Sequence, residues 1–109
     1  MTLVEMTKKE VLDIAKGVSD HYHTIIKDYN YSVNRVVNEV DDPYTISSEI
    51  ISGMTVTFMD NIILTWNKDK GYTLYNYHGN INNHSIIKQE KEGHDLLNWL
   101  YYGDYDNQW

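Results

Sequence analysis

Five histidines are the first residues to weigh for chemistry. Two lie in "DHYHT", residues 20–24, a spacing that suits a metal on a strand, where side chains two apart share a face. The surrounding apolar pattern is helical, however, and two helical steps turn a side chain by about 200°. His21 and His23 therefore read as solvated helix residues, since a helical metal pair needs i, i+4 spacing. His78, His84 and His94 surround the last strand-like and helix-like segments, in reach of Tyr77 or Asp95. Such a neighbour would suit a general acid–base pair, but "HGNIN" and "NINNH" suit turns equally well. Cysteine is absent, and no GxSxG, Gly-rich phosphate loop or HExxH occurs. Neither a catalytic residue, a metal ligand nor a cofactor is expected from these spacings.

The acids and rings form a more distinctive pattern. The chain closes on "WLYYGDYDNQW", where Trp99, Tyr101, Tyr102, Tyr105 and Trp109 are interleaved with Asp104 and Asp106 and no base. Termini are more often small, polar and frayed. A second acidic group, Glu39, Asp41 and Asp42 with Glu49 beyond, follows Arg35 without an intervening base. Tyr and Trp bury large areas at low entropic cost and dominate interface energetics. Carboxylates beside them can imitate phosphates toward a cationic groove. The whole chain carries 16 acids against 9 bases, a net charge of −7. That charge repels nucleic acid and favours a basic partner.

These residues need elements to position them. The 109 residues fit one domain, 1–109. "TKKE" at 7–10 has the form of a capping box. Val11, Ile14, Ala15, Val18, Tyr22, Ile25 and Tyr29 then recur at helical spacing, predicting a helix over 8–29 with Lys9, Asp13, Lys16, Gly17, Asp20 and Lys27 on the opposite side. "SVNRVVNEV" fits a second short helix capped by Ser32, which Pro43 follows as a break. From Ile50 the period changes to two, giving three strands separated by "DN" at 60–61 and "NKDKG" at 67–71. A three-residue loop ending at a left-handed Asn61 pairs Val56 with Leu64 and Met54 with Trp66. A loop ending at Gly71 pairs Leu64 with Leu74 and Trp66 with Tyr72. This register makes one face wholly apolar. The reverse face then holds Thr55, Thr57, Ile63, Thr65, Thr73, Tyr75 and Tyr77, without a charge. "SIIKQ" is a candidate fourth strand. Leu96, Leu97, Trp99 and Leu100 mark a last helix over about 94–102, which Gly103 ends. The expected fold is α+β: an N-terminal helix or helix pair, a three- to four-stranded antiparallel meander and a short C-terminal helix.

The start has no apolar run of leader length and no segment could span a bilayer, so the expected location is cytoplasmic. Asn, Ile and Tyr are abundant and share A/T-rich codons, which hints at an AT-rich bacterial or phage genome. In size, acidity and lack of catalytic hardware the chain resembles the loose class of small bacterial and phage inhibitors that includes anti-restriction, anti-CRISPR and toxin-immunity proteins. That resemblance is one of composition and transfers no residues. It implies a non-enzymatic inhibitor that binds a basic nucleic-acid-handling protein, a nuclease for example, and makes no direct contact with nucleic acid or membrane. The candidate partner-binding residues are Tyr102, Asp104, Tyr105, Asp106, Trp109, Glu39, Asp41, Asp42, Tyr75 and Tyr77. Tyr75 and Tyr77 on an open sheet also resemble single-strand stacking platforms, but that use needs cations the face lacks. Two other classes remain open: a small enzyme or ligand-binding domain using His78, His84 or His94, and a homodimeric assembly protein with the Tyr/Thr face as its seam.

Overall fold

Alternation of apolar and polar residues builds a sheet with one dry face. The computed structural model describes residues 3–36, 48–77 and 85–103. Helix α1 (Leu3–Tyr22) precedes strands β1 (Ile26–Val36), β2 (Ser48–Phe58), β3 (Ile62–Asn67), β4 (Gly71–Asn76) and β5 (Ser85–Glu90). A short helix α2 (Gly93–Asn98) follows and widens into a π-turn over Trp99–Gly103. The strands pair antiparallel in the order β1-β2-β3-β4-β5. The architecture is α+β with five strands, one more than the upper expectation.

The central register is the one the alternation requires. Val56 faces Leu64, Met54 faces Trp66, Leu64 faces Leu74, and Trp66 faces Tyr72. Asn61 has φ 62° and Gly71 φ 83°, the left-handed geometry that each loop needs. The Asn67 Oδ1 accepts from the backbone N–H of Asp69 at 2.8 Å and of Lys70 at 3.4 Å, closing the β3–β4 loop. Ile51, Met54, Val56, Phe58, Ile62, Leu64, Tyr72 and Leu74 are buried on the dry face. Val11, Ile14, Ala15 and Val18 of α1, with Leu96 and Leu100, complete this core.

The first forty residues correct the sequence reading. The helix begins at Leu3, so Thr7–Glu10 lies inside it and does not cap it. It stops at Tyr22 instead of Tyr29. His23 takes φ 53°, and the Thr24 N–H donates to the Ser19 carbonyl at 3.0 Å. This is a Schellman ending with histidine where glycine is usual. The Ser19 hydroxyl also donates to the Thr24 carbonyl. The β-branched run Thr24–Ile26 then enters β1. Residues 33–36 belong to that strand, so no helix capped by Ser32 forms there. The remainder of that second-helix expectation, 37–40, lies outside the described residues.

Gly17 is the other correction. A Cβ on it would lie 2.4 Å from the Leu97 Cδ2, so it faces α2, not solvent. Gly93, the first residue of α2, is likewise buried, and a Cβ there would meet the Ile14 Cδ1 at 2.6 Å and the Tyr72 Cε2 at 3.2 Å. Two glycines thus let the closing helix sit directly on α1 and β4.

Tyr72 gives this packing a pH signature. It is 2% exposed, and burial, reinforced by Glu10 and Glu92, pushes its phenol well above the ordinary 10.0. The unfolded chain therefore releases this proton first. Stability from Tyr72 is whole below pH 10.0 and declines as pH rises further. Urea melts between about pH 8 and 11 will show this decline, and Tyr72→Phe will make it shallower.

Candidate functional site

The C-terminal rings are positioned by α2 and the π-turn. Leu96 and Leu100 are buried at 0% and 2% exposure and fix the segment to the core. Leu97 and Trp99 pack partly against it. The Lys88 Nζ lies 5.6 Å from the Trp99 ring centroid, a cation–π distance. Lys88 also pairs with Glu90 at 3.4 Å. The Tyr101 hydroxyl donates to the Gly17 carbonyl at 3.4 Å, while its ring stands edge-on to His21 at 5.8 Å. His21 meets Tyr22 in the same edge-on manner at 4.8 Å. Tyr101 therefore lies along the end of α1, and the next residue, Tyr102, is 67% exposed.

Tyr102 is the expected partner-binding residue whose side chain the structure places outward at this end. Asp104, Tyr105, Asp106 and Trp109 lie outside the described residues, as do Glu39, Asp41 and Asp42. Tyr75 and Tyr77 are half-buried on the reverse face of the sheet. The helices and π-turn pack on the opposite face, so these two tyrosines and Tyr102 do not share one surface. Neither described helix covers the Thr/Tyr face.

The histidines separate further. His21 ends α1 among rings, His23 forms the helix stop, and His78 and His84 lie outside the described residues. The His94 Nε2 lies 3.3 Å from the Asp95 Oδ1, both on the exposed side of α2. Among the described residues no group of three or more His, Asp or Glu is arranged to hold a metal. No described helix is long and apolar enough to cross a membrane.

β1 adds a surface that the sequence reading missed. Tyr29, Tyr31 and Val33 face the helix side opposite Val56, Met54 and Ile51. α1 lies over β2, leaving these residues 37%, 40% and 42% exposed. The Lys8 Nζ spans the two rings, 5.2 Å and 5.7 Å from their centroids, and its hydrogen bond to Tyr29 raises the ammonium pKa. The missed signal was the alternation of Tyr29, Tyr31 and Val33 with Asp28, Asn30, Ser32 and Asn34.

The fold and this surface define an α+β protein with a five-stranded antiparallel meander, helices on one face and tyrosines grouped at its margins. Comparison with protein-family models, curated proteins and solved structures finds no match.

Proposed function

We propose that the chain is a non-enzymatic, acidic inhibitor that binds a basic nucleic-acid-handling protein and blocks its groove. The observation that carries this reading is Tyr102, exposed on a turn held by buried Leu100 and by the Tyr101–Gly17 hydrogen bond. A ring held outward on a fixed support meets a partner at small entropic cost. Asp104 and Asp106 follow it two and four residues on, and the net charge of −7 steers the molecule toward cations. The carboxylates act as phosphate mimics and the rings as anchors. The place of action in this reading is the cytoplasm of a bacterial host, against a defence nuclease or a toxin.

Affinity capture from such a host, followed by titration of the captured basic protein, tests the reading. Tyr102→Ala combined with Asp104→Lys and Asp106→Lys will weaken binding by about a hundredfold or more. Affinity of the parent chain will fall steeply as salt rises, because screening shortens the reach of exposed charge. Binding unchanged in the triple variant removes this edge from the interface.

A further inference from the structure

The sheet face that neither described helix covers holds a groove whose chemistry is unlike that of the acidic edge. Cross-strand pairing aligns Asn30, Thr55, Thr65, Thr73 and Gln89 in one row across all five strands. Every member bears an uncharged group, and each hydroxyl or amide can both donate and accept. Ser32, Gly53, Asn67 and Gly71 form the neighbouring row, in which two glycines lower the floor. On the other side Thr57, Ile63, Tyr75 and Ile86 align in a third row, of which Tyr75 lines the trough. The resulting trough holds about 340 Å³, with Lys70 at one end, within the range of small-ligand sites.

Thr73 marks the centre of this trough. It is 6% exposed, and its carbonyl accepts from the Thr65 hydroxyl at 3.4 Å. Thr73 is among the residues that line the trough. A threonine hydroxyl can both donate to and accept from a ligand seated there.

We propose that the trough binds a neutral, hydroxyl-rich ligand, a short uncharged oligosaccharide. A sugar presents hydroxyls along its edges and C–H groups on its faces. The Thr/Asn row meets the hydroxyls, and Tyr75 meets a C–H face. A purely apolar ligand would strand the row of hydroxyls and amides away from water. A polyanion would find one ammonium, Lys70, on a molecule of net charge −7. The site is distinct from the C-terminal edge, and neither reading depends on the other.

The test titrates ¹⁵N-labelled full-length chain with cellotetraose, maltotetraose, xylotetraose and chitotriose to millimolar concentration, with an oligo-dT strand as a parallel arm. At least one sugar will shift the amides of Gly53, Thr55, Thr65 and Thr73. Thr73→Val, which keeps the side-chain shape, will weaken that binding by about tenfold. Gly53→Leu will weaken it at least as much by filling the trough. A Cβ at Gly53 meets only the Trp66 carbonyl at an ordinary 3.5 Å, so the fold accepts it. Overturning results are shifts from no sugar, shifts mapping elsewhere, both variants binding like the parent, or oligo-dT shifting the same amides at lower concentration than any sugar.

Discussion

Phe58→Ala will lower the free energy of unfolding by about 3–5 kcal/mol, the range for deleting a fully buried aromatic ring. Phe58 is 1% exposed and ends β2, opposite Ile26 of β1 and immediately before the tight turn at Met59–Asn61. Its neighbours are fixed from several directions. The Met59 N–H donates to the Ile25 carbonyl at 3.1 Å, and the Tyr77 N–H donates to the Asn61 carbonyl at 3.0 Å. The backbone around the ring therefore has little freedom to collapse into the void. The loss is a large fraction of the stability of an ordinary small domain, about 5–15 kcal/mol. Urea denaturation will report it as a lowered midpoint with an unchanged slope. Phe58→Leu, which keeps most of the apolar volume, will cost much less. Equal losses in the two variants would show that the ring does not fill the core as described.

The second large effect is at Gly71. Gly71→Ala will destabilise by roughly 2–4 kcal/mol, combining left-handed strain with overpacking. The residue is buried with φ 83°, and its added Cβ would lie 2.5 Å from the Lys91 Cα and 2.6 Å from the Lys91 carbonyl oxygen. Those atoms are backbone and cannot rotate away. The clash falls where β5 passes into α2, so the substitution also disturbs the support of Tyr101 and Tyr102. Thermal melts will show the loss, and Gly17→Ala is the informative contrast. There the obstructing atom is the far end of the Leu97 side chain, and alanine regains about 1 kcal/mol of helix propensity. Gly17→Ala will therefore cost clearly less than Gly71→Ala.

The residues that failed to announce themselves did so for physical reasons. The β2–β3–β4 register was legible because only one pairing puts Met54, Val56, Leu64, Leu74 and Tyr72 on one face. β1 was not legible, because Ile25 and Tyr29 continue the α1 stripe by coincidence and His23 carries no conventional stop signal. Gly17 was misread because a helical wheel built on one apolar stripe cannot show a second helix docking on another side. The exposure expected at the C-terminal edge is described at Tyr102, while its carboxylates lie beyond the described residues. The trough was half visible: its Thr row stands out in the sequence, but Asn30 and Ser32 join it only once β1 is a strand.

The docking of α2 on α1 has a consequence for the order in which the molecule is made. Helix α1 leaves the ribosome before α2, yet its cover at Gly17 and Ile14 comes from Gly93, Leu97 and Tyr101. Until those residues emerge, a growing chain carries an amphipathic helix with part of its sticky side unclaimed. Nascent chains halted short of α2 are thus the species that chaperones would be called on to shield.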